Sequence, residues 1–374
     1  MPIRLIADDC VNCGICVKEC AFLQEYGSPQ KLASDWLDPA DNNTSNRGYS
    51  FECSLCGLCH GLCPKELDPS AMFLAMRREL VLHGEARFKQ HNTIRAYEKR
   101  GSSTLFSWYS FPSNCNTIFF PGCALPGSRP QTLTRLFSVL QELIPNIGLV
   151  FDCCTKPSHD LGDSAHFTTM FQELCTILRE HKIIKVLVAC PNCYRIFTEY
   201  GEGLDVVTVY EELVQTEQFH GKHKKTITIH DPCGVRYGAS VQTSIRTLLK
   251  RQNLTVQEMK HREQTSFCCG EGGSAGFLRP DFARKWTEKR VLEADGIPMA
   301  SYCAGCTHFL GSSAETFHIL DLLLFPEATL ANRVTVSKAP FTYWNRYRLK
   351  KRMQKLLPSA ISGSRNTLTP RSSR

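Results

Sequence analysis

Cys10, Cys13, Cys16 and Cys20 follow the spacing Cys-x2-Cys-x2-Cys-x3-Cys, and Cys53, Cys56, Cys59 and Cys63, with Pro64 behind them, repeat it. Few patterns leave a chain less freedom. Three closely spaced thiolates grip three irons of an inorganic cube, while the fourth thiol of such a run crosses to a second cube. On that reading Cys10, Cys13, Cys16 and Cys63 hold one [4Fe–4S] cubane. Cys53, Cys56, Cys59 and Cys20 hold the other. Zinc fits worse, because zinc sites combine two pairs and give no reason for eight cysteines in two matching runs. Ala21 stands where such runs often carry proline, which alters turn stiffness and not ligation.

The chain has 374 residues and 20 cysteines, so these are not the staples of a small secreted scaffold. No apolar run reaches membrane-spanning length, and the opening "MPIRLIADDC" has no apolar signal core. A cytoplasmic location follows as an expectation, with thiols reduced and the sequons at Asn42 and Asn43 without meaning. The net charge of +8 is carried unevenly: beyond Glu327 there are 11 of the 44 Lys and Arg and no acid. "NRYRLKKRMQK" (345–355) reads as a basic amphipathic helix, and "SAISGSRNTLTPRSSR" after it as disordered. This tail suits an anionic membrane face, at the inner side of the membrane, or an acidic partner subunit. It suits a merely solvated segment equally well. No basic, aromatic-laced domain accompanies it, so nucleic acid is not expected as a partner.

The remaining cysteines form an internal repeat. A lone Cys, a Cys-Cys pair and Cys-x-x-Cys occur as Cys123, Cys153 with Cys154, and Cys190 with Cys193. They recur as Cys233, Cys268 with Cys269, and Cys303 with Cys306. Short apolar runs of strand length ("NTIFF", "IGLVF", "IKVLVA", "KTITIH", "MASY") precede them, and helical patterns alternate with those runs. Such alternation builds parallel sheets, whose ligands gather at the carboxyl ends of the strands. The fold expected is α+β and multidomain. A helical dicluster ferredoxin over residues 1–100 precedes two duplicated α/β parallel-sheet domains at 112–222 and 223–330, with a basic tail at 331–374. Ser28–Pro29 and Asp68–Pro69 read as helix starts, Gly84 as a stop, 40–48 as a loop, and 85–113 as a partly helical connector.

Each repeat converges five thiols where a cube needs four, which suggests a cluster opened beyond a cube. In "CCGEGG" the glycines at 270, 272 and 273 let backbone pass close to an inorganic core. "GEGGSAG" lacks the spacing of a dinucleotide loop. His159, His230 and His308 lie near ligand cysteines; each reads either as a catalytic group that gives a proton to a departing thiolate or as a satisfied structural histidine. Cys175 falls on an apolar helical stripe and Cys115 in a loop, and Phe120 and Phe267 read as packing that shields metal.

The motifs "FFPGC", "DCC", "ACPNC", then "HDPCG", "FCCGEGG", "YCAGC", behind the dicluster run, resemble the heterodisulfide reductase catalytic family, with the fused layout of its D-type subunit. The layout is also similar to the iron–sulfur subunit of glycolate oxidase and of lactate-utilisation complexes. The resemblance implies a noncubane [4Fe–4S] cluster held by each quintet, two facing clusters that reduce or oxidise a disulfide or thiol substrate, and two cubanes that feed them. It also implies a flavoprotein or a membrane cytochrome as partner. The alternative reading is an electron-transfer subunit of a flavin-dependent 2-hydroxy acid dehydrogenase complex.

Overall fold

The computed structural model describes residues 1–38, 44–86, 88–357, 359–365 and 369–370. The first hundred residues are helical. Ser28 Oγ accepts from the Lys31 amide at 3.3 Å and starts helix Pro29–Leu37. Asp68 accepts from the amides of Ser70 and Ala71 at 2.8 and 3.1 Å and starts helix Pro69–Leu82, and Gly84 closes it at φ +75. Of the loop expected over 40–48, residues 40–43 and both sequon asparagines lie outside the described residues, and Thr44–Glu52 forms a 3-10 helix.

Two sheets follow. Strands β1 (Trp108–Phe111), β2 (Thr117–Phe120), β3 (Gly148–Phe151), β4 (Lys185–Val188), β5 (Asp205–Thr208), β10 (Ile361–Gly363) and β11 (Thr369–Pro370) lie in the order β11-β10-β1-β3-β2-β4-β5. Strands β6 (Thr226–His230), β7 (Thr255–Val256), β8 (Met299–Ser301) and β9 (Thr316–His318) lie in the order β7-β6-β8-β9. The run β3-β2-β4-β5 and the run β7-β6-β8-β9 are therefore the same parallel arrangement made twice. Helices follow suit: Pro130–Leu143 and Ala239–Arg251 come after the first strand of each set, Ser164–Glu180 and Pro280–Ala294 before the third. Leu133, Leu136, Phe137 and Leu140 show why these helices sit on a sheet, since that spacing puts four buried side chains on one face.

The structure corrects two expectations. The connector 85–113 ends in a strand, β1, which pairs antiparallel with β3 and widens the first sheet. The C-terminal segment is not a free tail in its described part. Helix Phe341–Leu356 buries Arg346, Leu349, Lys350 and Met353. Strand β10 then pairs with β1, and Arg365 is buried beyond it. The Arg365 guanidinium grips the Asp152 carboxylate through two bonds of 2.9 and 3.0 Å and also donates to Met170 O at 2.7 Å. Asp152 adjoins Cys153, so this basic residue anchors the strand end that carries a vicinal cysteine pair. Serine and glycine in β10 hid it from pattern reading, and the partner of Arg365 lies more than two hundred residues away.

Arg365→Ala leaves the Asp152 carboxylate buried without its cation. The expected cost is about 3–5 kcal/mol, read as an earlier denaturant midpoint of the first sheet domain; an unchanged midpoint contradicts the assignment.

Candidate metal centres

The cysteines occur as free thiols, not disulfides, and eighteen of them gather in four places. In the helical part, Gly14 and Gly57 adopt φ +76 and +69 at the turns between the second and third cysteines of each run, a conformation that favours glycine. These turns fold each run back on itself. Cys16 has Cys10, Cys13 and Cys63 as its charged neighbours, while Cys20 has Cys53 and Cys56 and Cys59 has Cys53, Cys56 and Cys20. The fourth thiol of each run thus stands with the first three of the other. Burial, then the neighbouring thiols, pushes Cys16 up to about 11; burial also pushes up Cys53, to about 12, and Cys20 and Cys59. Thiols so placed resist ionisation unless a cation compensates them, which is the condition a metal cluster meets. The Cys10 group reaches the surface: Cys13 is exposed, between exposed Val11 and Ile15.

The two quintets form at strand ends. Cys190 and Cys303 stand at the starts of helices Pro191–Tyr200 and Ala304–Leu310, which places Cys193 and Cys306 in the first turns. The Cys193 thiol and then the amides of Cys193 and Asn192 lower the pKa of Cys190, while the neighbouring thiols Cys154 and Cys190 raise Cys193 and the thiols Cys269 and Cys303 raise Cys306. In the first quintet Cys123 contacts Cys153, Cys193 contacts Cys190, and Cys193 Sγ lies 3.5 Å from Cys154 Sγ. In the second, Cys268 contacts Cys233 and Cys269, and Cys306 contacts Cys269 and Cys303. The vicinal pairs join the two ends of each set, which answers why adjacent cysteines occur twice. Each quintet is a continuous chain of thiols around one spot, and the donor set fits an iron–sulfur core. The glycines at 270, 272 and 273, expected to pass close to that core, are instead required by backbone, a Cβ there meeting Ala283 O, Ser54 O and Cys53 O.

A cavity of about 690 Å³ opens between the two quintets, lined by nine of their ten cysteines. Its walls also carry Lys156, Arg195, Glu271 and His318. Sequence reading passed over these. Superposing the two Cys-Cys pairs would have found two of them, since Lys156 and Glu271 occupy the same place two residues after their pairs. Glu271 is exposed to the cavity. Enclosure there, and next the charge of Cys269, raises its carboxyl to about 8 and favours the protonated form. Burial opposes the charge on Lys156, and the Asp160 carboxylate more than offsets it. His318 Nδ1 accepts from the Leu320 amide at 3.2 Å, which leaves the proton on Nε2.

The three histidines named from sequence fall in different settings. His159 is buried outside the cavity lining, with Nδ1 3.0 Å from Asp160 and Nε2 2.9 Å from Tyr200. Both ring nitrogens have structural partners. His308 is exposed on the outer face of its helix, because two residues beyond Cys306 is about 200° around a helix. His230 alone sits beside a quintet, fully buried, with a ring nitrogen within 4.8 Å of the sulfurs of Cys269 and Cys306. Burial lowers its pKa and keeps it neutral. Cys175 lies in the core of the first sheet domain, and Cys115 is buried with its thiol on Thr117 O at 3.3 Å.

The second quintet is locked to the ferredoxin part. Cys268 also contacts Cys56. The loop behind it presses on Cys53 and Ser54: a Cβ at Gly272 would stand 2.5 Å from Ser54 O, and one at Gly273 2.7 Å from Cys53 O. The fully buried Arg77 guanidinium donates to Ser50 O (2.9 Å), Cys53 O (2.5 Å), Asp160 O (2.6 Å) and Gly273 O (2.8 Å). One side chain thus ties carbonyls from all three parts of the chain.

With this geometry established, comparison defines the class. Residues 9–68 match the 4Fe-4S dicluster domain, and residues 117–198 and 227–311 each match the Cysteine-rich domain. The chain belongs to the iron–sulfur oxidoreductases that join such a dicluster domain to two cysteine-rich domains. It is 24% identical over 370 residues to one subunit of the dihydromethanophenazine:CoB–CoM heterodisulfide reductase of Methanosarcina mazei, covering 83% of this chain and 90% of that one. It is likewise 24% identical over 357 residues to one subunit of the fumarate reductase (CoM/CoB) of Methanothermobacter marburgensis (84% and 71% covered). The EtfAB:quinone oxidoreductase of Syntrophomonas wolfei matches at 24% over 317 residues, which cover 74% of this chain and 43% of that one. A crystal structure of a hypothetical protein from Helicobacter pylori shares the fold, with a TM-score of 0.52, 9% identity, and 90% and 71% of the two chains covered. Among the described residues no helix is long and apolar enough to cross a membrane.

Gly272→Ala drives a methyl group into the Ser54 carbonyl and should lift the loop off the ferredoxin part. The expected loss is about 1–3 kcal/mol, with faster proteolysis between the two parts; an unaltered digestion pattern contradicts the docking described.

Proposed function

We propose that the chain carries electrons through four iron–sulfur centres to a disulfide or thiol substrate in the cavity between the two quintets. Residues 1–100 form the ferredoxin part, with cubane ligands Cys10, Cys13, Cys16 and Cys63, and Cys53, Cys56, Cys59 and Cys20. Residues 112–222 and 223–330 form the two cysteine-rich domains. Cys123, Cys153, Cys154, Cys190 and Cys193 hold one noncubane centre, and Cys233, Cys268, Cys269, Cys303 and Cys306 the other. The observation that carries this reading is that both quintets are complete and face one cavity of about 690 Å³. A carrier that only relayed electrons would need neither the cavity nor a second complete set. Iron–sulfur clusters at these cysteines supply the storage and delivery of electrons, two of which are needed to split a disulfide.

The chain's own residues do the rest. Lys156 is paired with Asp160, which shares the wall, so Arg195 leaves one net positive charge among these three groups, which suits a substrate with an anionic group near its sulfur. Glu271 Oε and His318 Nε2 hold protons at the cavity wall, as the release of two thiols requires. The Cys56–Cys268 contact makes the second cysteine-rich domain the point where electrons leave the ferredoxin part. Exposed Val11 and Ile15 beside Cys13 offer a small apolar edge to a redox partner, a flavoprotein or a membrane cytochrome. Helix Phe341–Leu356 turns Phe341 and Trp344 (67% and 58% exposed) outward with Arg348, Lys351, Arg352 and Lys355. Aromatic and basic groups on one face support peripheral contact with an anionic membrane surface.

Anaerobic protein should bind about 16 iron atoms per chain, and Cys63→Ala or Cys193→Ala should each lose about four. After partial oxidation, adding a thiol should alter the EPR spectrum of the quintet-bound centres and leave that of the cubanes unchanged. Iron-replete protein in which no thiol or disulfide changes any signal, while a flavoprotein still reduces it, would leave the relay reading in place of this one.

A further inference from the structure

The two quintets are built on the same strand ends, yet those ends differ in chemistry. In the first domain Phe120, Val188 and Thr208 stand side by side in register across β2, β4 and β5. In the second the corresponding row across β6, β8 and β9 is His230, Ser301 and His318. An apolar pair has become a polar pair at a position no water reaches, because His230 and Ser301 are both fully buried. Apart from the approach of its ring to Cys269 Sγ, His230 has no hydrogen-bond partner within the protein, and Ser301 Oγ has none. An imidazole buried this way costs stability unless something outside the polypeptide satisfies it. The sulfurs of Cys269 and Cys306 are within 4.8 Å of the ring, so the unmet donor lies where their metal core belongs.

We infer that His230 donates its ring N–H to sulfur of the iron–sulfur centre in the second cysteine-rich domain, making that centre easier to reduce than its twin beside Phe120. Five thiols already surround the site, so the imidazole is left as donor and not as a sixth ligand. A hydrogen bond to cluster sulfur stabilises the more negative, reduced state, and a neutral donor does so without adding charge. Phe120 can give no such bond. The duplicated domains therefore carry inequivalent centres, and the one joined to the ferredoxin part through Cys56 and Cys268 fills first.

This inference rests on the reading that iron–sulfur centres occupy both quintets, and iron analysis separates the two. The test is an EPR-monitored redox titration of the full-length anaerobic chain, His230→Phe and His230→Gln, with iron counted in each. His230→Phe installs the first domain's residue. It should keep the iron, and it should lower one midpoint by the equivalent of about tenfold in the one-electron equilibrium, roughly 59 mV, with the other centres unmoved. His230→Gln keeps an N–H donor and should recover part of that shift. Weak 14N modulation of the affected signal should be present in the wild-type chain and absent in His230→Phe. An iron-replete His230→Phe with unmoved midpoints overturns the inference, as does a large 14N coupling that marks direct ligation. Should His230→Phe lose iron, selective 15N-histidine labelling of the wild-type chain decides: altered modulation sustains the hydrogen bond, and unaltered modulation overturns it. Wild-type protein without iron in the quintets overturns the reading beneath it.

Discussion

Buried thiols that crowd one another are the constraint on which the rest of this structure depends. Each quintet forces five sulfurs into one enclosed place, and the ferredoxin turns force two further sets of four. Crowding splits them: in each quintet some thiols are driven down by a neighbouring thiol that shares its proton (Cys123, Cys269) and others are driven up (Cys153, Cys306), and a metal core lets all of them bind as thiolates. The α/β scaffold serves that end. Parallel strands bring their carboxyl ends together, helix starts hold Cys190 and Cys303, and vicinal cysteines link the ends of each set.

The second dependence is alignment between parts. Arg77 reaches carbonyls of Ser50, Cys53, Asp160 and Gly273, so the ferredoxin part and both cysteine-rich domains share one buried cation. Arg236 adds a further tie by donating to Cys56 O at 3.0 Å and Ser266 O at 2.9 Å. Two of these bonds end on the carbonyls of Cys53 and Cys56 themselves, so they hold those cysteines in place as well as the domains. The asymmetry is informative: the second quintet touches Cys56, whereas the first meets helix Asn92–Gly101 and Arg346 near Gly101. A thiol of the ferredoxin part thus touches the second quintet directly, while the first domain meets that part through contacts such as Arg195 on Leu55 O at 3.5 Å and Asp160 O on Arg77 at 2.6 Å.

Much of this was legible in the sequence for a physical reason. Metal clusters dictate cysteine spacing, and β-branched runs before each landmark marked β2, β4 and β6. The repeated cysteine pattern foretold the repeated strand order. What escaped was long-range or disguised. "WYSF" had no alternation and passed as connector, although it is β1. Strand β10 is "ISG", poor in strand formers, and Arg365 finds its meaning only beside Asp152. His308 lay close to Cys306 in sequence, but helix geometry turned it to solvent. Lys156 and Glu271 hid in plain view, because attention to the cysteines left the residues after them unaligned.

The central claim is the order of the centres: cubanes, then the second cysteine-rich domain, then the first. Rapid freeze-quench EPR after a pulse of reductant tests it most directly, comparing the wild-type chain with Cys268→Ala. The account predicts that the second-domain signal changes before the first-domain signal, and that Cys268→Ala delays reduction of the first-domain centre by at least about tenfold. Reduction of the first-domain centre at an unaltered rate, or ahead of the second, would contradict it.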